Sequence, residues 1–300
     1  MTQPLNLIDP DARTLGRFKV GPLAYGCWRL VAMSASDAQA RIETALSVGM
    51  NLVDTADVYG LDWGGAGFGD AEALLGQVLK SAPGLRQQMV LASKGGIIPG
   101  VPYDSANLKR ACEASLARLG VEQLDLYQIH RPDMLTHPQE LARTLHDLVA
   151  EGKVAEVGVS NHRPSQIEAL AAHLELPIVS HQPEYSALHL DPLFDGTFDQ
   201  CMGRNMQLLV WSPLAGGRLA DSTNLDPELA AVMSGIAQRE AVDVATLALA
   251  FTLAHPARPI AIVGTTNLER IRQARAALDV RLDRTDVYSI MQASMGEALP

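Results

Sequence analysis

Apolar positions along the chain come in two spacings that alternate. Short continuous runs fall at Leu23–Cys27, Asn51–Asp54, Met89–Ser93, Leu124–Ile129, Val154–Val159, Ile178–Gln182, Gln207–Trp211 and Pro259–Val263. They are rich in Val, Ile and Leu without a clean two-residue alternation, the pattern of parallel strands covered by helices. Between them the period lengthens. Leu108, Ala111, Cys112, Leu116 and Leu119 keep an i, i+3, i+4 spacing that Gly120 ends. Pro138 opens a second helical stretch with Leu141, Leu145 and Leu148 on one face and Gly152 at its end. Asn267 is placed to cap a third, which carries Leu268, Ile271 and Leu278. Ahead of all of them, RTLGRFKV at Arg13–Val20 reads as a short hairpin around Gly16 and Arg17.

Eight strand–helix units of roughly 30 residues or more fill the chain. That count predicts a closed (β/α)8 TIM barrel with a short N-terminal hairpin, as one domain over residues 1–300. The competitor, an open doubly wound sheet, needs a glycine fingerprint after its first strand. The first strand runs into AYGCWRLVAMS, which lacks it, and the glycine cluster WGGAGFGDA at Trp63–Ala71 has the wrong spacing and follows a loop. No linker, low-complexity segment or composition shift divides the chain.

Composition narrows the function classes. With 47% apolar and 19% charged residues the chain is not disordered. A net charge of −10 argues against nucleic acid as a partner, which needs a basic footprint. MTQPLNLIDPDAR has neither a basic lead nor an apolar core, so no secretory leader is expected. No apolar run approaches the roughly 18–20 residues that span a bilayer, so no membrane association is expected either. Cys27, Cys112 and Cys201 are odd in number and scattered, as reduced core thiols of a cytoplasmic protein would be.

In a barrel all strand ends converge on one face, and catalytic groups come from several of them. Asp54, Lys94 and His130 stand at the carboxyl ends of successive predicted strands, and Tyr59 follows Asp54 in a glycine-bearing loop. Each alone has a plain reading: a helix cap, a solvated rim cation, a satisfied polar group. Together they can move a proton. A phenol with a pKa of about 10 holds its proton too tightly to exchange it freely near neutrality, and a nearby ammonium lowers that value. Buried in the mouth, the ammonium of Lys94 needs a counter-ion, which Asp54 supplies. His130 can hydrogen-bond a carbonyl oxygen and orient it toward the Tyr59 hydroxyl. With a hydride donor, the set performs a carbonyl reduction.

On these residues and their contexts, NLVDTADVYG, MVLASK and LDLYQIH, the chain resembles the aldo-keto reductase superfamily over nearly its whole length. The resemblance implies a barrel binding NADPH across its mouth without a Rossmann domain, with Tyr59 as general acid, Lys94 and Asp54 tuning it, and His130 positioning the carbonyl. It implies that Ser160 and Asn161 in GVSNHRP and Gln182 in IVSHQPEYS hold the nicotinamide carboxamide, and that Trp211 stacks on the nicotinamide ring. Alternatives stay open: Asn161 as cap of the helix near Pro164, Gln182 as a strand bridge, Trp211 as a rim aromatic. Ser212, Leu214, Gly216 and Gly217 form a loop whose amides can approach a pyrophosphate, or simply a turn. Thr265, Thr266 and Asn267 open a helix with Arg270 one turn in, a fit for a 2′-phosphate unless Arg270 is merely a solvated side chain. Many members of the superfamily carry Lys where this chain has Gly264, and Asn near Ala274, where Gln273 remains as an adenine ligand. NADPH is therefore the expected cofactor, with NADH as the alternative.

The substrate expected is a small-molecule carbonyl compound, an aldehyde or ketone of moderate size, aromatic or sugar-like. Trp28 and Trp63 are candidate walls of its pocket, with Phe68 better read as core, and the glycine-rich loop Leu61–Gly69 is expected to be mobile. A second reading, from another class, is a nucleotide-sensing regulatory subunit with a reductase fold. A metal-dependent hydrolase would need clustered ligands, and the histidines are dispersed, so no metal is expected.

Overall fold

The computed structural model describes residues 6–97, 107–223 and 225–299. A two-stranded antiparallel hairpin, β1 (Arg13–Leu15) and β2 (Phe18–Val20), precedes the barrel and turns at Gly16, whose φ is 54°. The barrel strands are β3 (Leu23–Gly26), β4 (Leu52–Asp54), β5 (Val90–Gly95), β6 (Leu124–Ile129), β7 (Val154–Ser160), β8 (Ile178–Gln182), β9 (Gln207–Val210) and β10 (Ile260–Val263). All pair in parallel in chain order, and β10 closes on β3, with Ala261 opposite Leu23 and Val263 opposite Tyr25. The protein is a TIM barrel.

Two apolar layers hold it. Inside the barrel, Ala24, Leu52, Ala92, Leu126, Leu209 and Ile260 pack with Leu15 and Val20 of the hairpin, which plugs the amino-terminal end. Asn51 pins the plug: its carbonyl accepts from Gly21 N at 2.9 Å and its amide donates to Lys19 O at 3.0 Å. Outside, residues such as Val53, Leu91, Tyr127 and Val157 face the helices. With one end filled, the open end is where the carboxyl termini of the strands gather.

The helices start and stop for mechanical reasons, at Gly120 and Pro138 as the sequence predicts and at Ser34 without a prediction. Ser34 caps Ala35–Ser47 by accepting from Asp37 N at 3.1 Å, Gly120 ends Leu108–Leu119 at φ 66°, and Pro138 opens Pro138–Ala150. Several boundaries differ. Cys27 leaves the first strand for a 3-10 turn at Cys27–Arg29. The β5 strand runs on to Gly95, and β7 to Ser160, so Lys94 and Ser160 are strand residues. Met89, Trp211 and Pro259 fall outside their strands, Trp211 keeping one bridge to Glu184. The stretch after Asn267 is not one helix: Leu268–Gln273 is α-helical and Ala274–Leu278 tightens to 3-10. No helix among the described residues is long and apolar enough to cross a membrane.

Candidate active site

Asp54 is the last residue of β4, and Lys94 is the next-to-last of β5 beside it. Both are 1% exposed, and Lys94 Nζ stands 2.6 Å from Asp54 Oδ2 and donates to Thr55 O at 2.9 Å. The other carboxylate oxygen, Oδ1, accepts from Gln182 Nε2 at 3.0 Å and Gln128 Nε2 at 3.4 Å. A charge pair in a dry interior is tolerable only when hydrogen bonds fill its remaining valences, as these do. Lys94 is followed by a glycine because a Cβ at Gly95 would sit 2.0 Å from the Tyr127 hydroxyl.

Tyr59 leans over the ammonium, its ring centroid 4.9 Å from Lys94 Nζ and its hydroxyl within hydrogen-bonding reach. Burial works against the Lys94 charge, but the Asp54 and Tyr59 oxygens outweigh it and hold the ammonium pKa above its ordinary value. The phenol does not follow the sequence expectation. Burial raises its pKa, and the ammonium only offsets part of that rise, so the net shift is upward. Tyr59 accordingly keeps its proton near neutrality, which a proton donor requires.

His130 follows β6, fixed by its backbone N–H to Gly95 O at 2.8 Å. Its ring meets the Tyr59 ring edge-on, centroids 5.9 Å apart at 82°. Burial first, then the charges of Lys94 and Arg131, hold the imidazole pKa well below its usual value, and Nδ1 is enclosed without a partner. The ring is neutral, fit to donate one N–H to an oxygen. The four residues thus meet at one mouth.

On the neighbouring strand ends, Ser160 Oγ donates to Gln182 O at 2.8 Å. Asn161, at φ 59°, donates to His130 O and Ser160 Oγ, both at 3.0 Å, and accepts from Trp211 Nε1 at 3.0 Å. It does not cap the helix near Pro164, whose N-cap is Arg163. Gln182 bridges to Asp54 as described, so its amide is turned inward. Beyond Trp211, Ser212 Oγ accepts from Gly216 N at 2.8 Å, and Leu214 leads into Gly216 and Gly217 at φ 71° and 103°, both exposed with open space where side chains would be. Gly264, Thr265 and Thr266 lie half-buried between β10 and Leu268–Gln273. Asn267 caps that helix through Arg270 N at 3.1 Å, Arg270 is exposed, and Gln273 bonds Glu269 at 3.2 Å. Unfilled glycines, helix-start amides and an exposed guanidinium along one rim fit a long anionic cofactor.

Trp28, after β3, and Trp63, in the loop after β4, form an aromatic rim, 42% and 52% exposed and edge-to-face at 5.7 Å. Phe68 is not part of it; it borders a cavity of about 290 Å³ with Asp57, Ile97 and Arg118. In the glycine-rich loop Leu61–Gly69, Gly67 N donates to Gly60 O at 3.1 Å and Ala66 N to Asp70 Oδ2 at 3.0 Å.

Sequence reading missed a supporting layer. Glu72, fully buried, accepts from Ser93 Oγ at 2.5 Å and from Arg118 Nε at 2.8 Å. Asp57 donates its N–H to Lys94 O at 3.0 Å, and its carboxyl is pushed up to about 8 by burial and by Glu72. A glutamate on the apolar face of its helix, beside Leu74, Leu75 and Val78, was the available signal. The three cysteines are free and buried. Among the described residues no cluster of side chains is arranged to hold a metal.

A family model described as the aldo/keto reductase family matches residues 22–294. The chain belongs to that family. As an aldo/keto reductase it is an oxidoreductase, and its similarities run the length of the chain. A 6-dehydroglucose reductase of Novosphingobium aromaticivorans is 45% identical over 300 residues, 98% of each chain. Another 6-dehydroglucose reductase, of Agrobacterium fabrum, is 35% identical over 94% of this chain and 96% of its own. An aldo-keto reductase from Klebsiella pneumoniae, solved in complex with NADPH, superposes with a TM-score of 0.76 at 26% identity over 94% of each chain.

Proposed function

We propose that the chain is an NADPH-dependent reductase of sugar aldehydes, with 6-dehydroglucose, a glucose bearing an aldehyde at C6, as its type substrate. The observation that carries the reading is the unbroken contact from Asp54 through Lys94, 2.6 Å away, to the Tyr59 ring 4.9 Å beyond. The two relatives named for 6-dehydroglucose support the substrate class, and the Trp28–Trp63 rim suits it, since indole faces stack on sugar rings.

Ser160, Asn161, Gln182 and Trp211 would hold the nicotinamide end, Ser212, Leu214, Gly216 and Gly217 the pyrophosphate. Gly264, Thr265, Thr266, Arg270 and Gln273 would hold the adenosine end with its 2′-phosphate. With Gly264 where many family members carry a lysine, that end has one cation fewer, and NADPH is favoured over NADH without strict exclusion. When bound, the cofactor supplies the hydride to the carbonyl carbon. His130 donates to the carbonyl oxygen and fixes its direction. Tyr59 gives its proton to that oxygen as negative charge develops there, and general-acid help of this kind contributes about 10²–10⁴ in rate. Lys94 stabilises the phenolate left behind, and Asp54 keeps Lys94 charged and in place.

The test is consumption of NADPH absorbance by the purified protein with 6-dehydroglucose. Turnover at a kcat/KM of about 10⁴ M⁻¹s⁻¹ or more is expected. No turnover across a panel of sugar aldehydes overturns the reading, and tight NADPH binding without turnover, with a stable protein partner, would put the nucleotide-sensing subunit in its place.

A further inference from the structure

Trp63 is held at φ 62°, a left-handed conformation that costs a bulky residue about 1–2 kcal/mol, yet half of it faces solvent. Core packing does not account for it. The Arg29 guanidinium lies 4.1 Å over its ring and Trp28 meets its edge, so the indole is propped in one orientation. A strained, propped and exposed aromatic on a catalytic loop is built for contact with a ligand.

What lies past it is a groove of about 490 Å³ bordered by Ala32, Ser34, Gly64, Asp70 and Gln77, and by none of the four residues at the mouth. It begins at the residue after Trp63, where a Cβ on Gly64 would meet the Ala32 methyl at 3.6 Å. One of its borders, Asp70, packs on the backbone of the loop that carries Tyr59. A Cβ on Gly60 would stand 2.6 Å from Asp70 Cβ, and Ala71 N donates to Tyr59 O at 3.1 Å. Gln77 is exposed and makes no hydrogen bond among the described residues, and Asp70 spends Oδ2 on Ala66 N, leaving Oδ1 free. No lysine or arginine borders the groove, so it is not made for a phosphate or sulfonate. Amide, carboxylate and hydroxyl groups beside an indole are what a neutral polyol needs.

We propose that this groove is a subsite for a hydroxylated anomeric substituent, so that the enzyme's substrates extend to the 6-aldehydes of glycosides. This rests on the sugar-aldehyde reading above. A sugar that reaches Tyr59 with C6 and lies against Trp63 carries its anomeric substituent past the rim, where free Gln77 and Asp70 oxygen and nitrogen atoms receive its hydroxyls. The chemistry is unchanged: one hydride and one proton convert the C6 aldehyde to the alcohol, and the glycosidic bond stays intact.

The experiment compares kcat/KM for 6-dehydroglucose, its methyl β-glycoside and its glycerol β-glycoside. The glycerol glycoside is expected to exceed the methyl glycoside about ten-fold, the effect of one or two added hydrogen bonds. Gln77→Leu, on an exposed helix face, and Ala66→Phe, which fills the groove, are expected to bring that ratio toward one. A wild-type ratio near one, with the free sugar still reduced, overturns the subsite alone, as does a ratio that survives both variants. Failure to reduce any of the three overturns the proposed function and the subsite with it.

Discussion

The mouth of the barrel has two sides that are built differently. The Asp54–Lys94 pair is 1% exposed and every oxygen of the carboxylate is taken. The Trp28–Trp63 rim is 42% and 52% exposed, held by one edge contact and one guanidinium, with a strained backbone. The first is over-determined by the fold and the second is not required by it. On the proposed function, chemistry sits where the barrel fixes it, and substrate choice sits on a loop that can change without disturbing that chemistry. The two sides should respond to substitution in opposite ways.

Lys94→Met is the strongest break. It strands the Asp54 charge in the interior, and a loss of about 3–5 kcal/mol in urea unfolding is expected, together with loss of activity. Adding Asp54→Asn should restore most of the stability and none of the activity. A double variant no more stable than the single one would mean that the pair is not the buried, coupled unit described.

Acid should weaken the fold from the interior as well. The His162 pKa is lowered by burial to about 4 and the His181 pKa to about 3. The unfolded chain binds protons at these sites below the usual histidine value of about 6.5, whereas the folded chain does not. Stability from them is therefore whole above pH ~6.5 and falls as pH drops toward about 4 and 3. Urea midpoints measured from pH 7 to 4 should decline, less so in His181→Gln; a decline equal in the two proteins would remove His181 from the account.

At the rim the expected effects are smaller and split by property. Trp63→Gly suits φ 62° and should leave stability unchanged or raise it by up to about 1 kcal/mol. The same change should raise KM for sugar aldehydes by about three- to ten-fold, the worth of a lost aromatic contact. Loss of stability without a change in KM would make Trp63 a packing residue.

The same contrast explains what the sequence disclosed. A strand ending in a carboxylate, a strand ending in a lysine and a strand followed by a histidine are local patterns, and a barrel brings strand ends together whatever the details. RTLGRFKV was legible for the same reason, as a turn between two short runs. The closure of Gln182 on Asp54 joins residues on β8 and β4 through the barrel interior, which no local pattern encodes. The upward shift at Tyr59 was not legible because it balances burial against one ammonium, and only depth in the structure decides that balance. Strand ends moved by a residue or two where tertiary pairing extended β5 and β7.

The central claim is that the Tyr59 hydroxyl gives up the proton. Tyr59→Phe, measured for kcat with a sugar aldehyde and for NADPH affinity in the same preparation, tests it most directly. The account predicts a kcat lower by about 10²–10⁴ with the NADPH dissociation constant within about two-fold of wild type. A variant that keeps kcat within about ten-fold would contradict it.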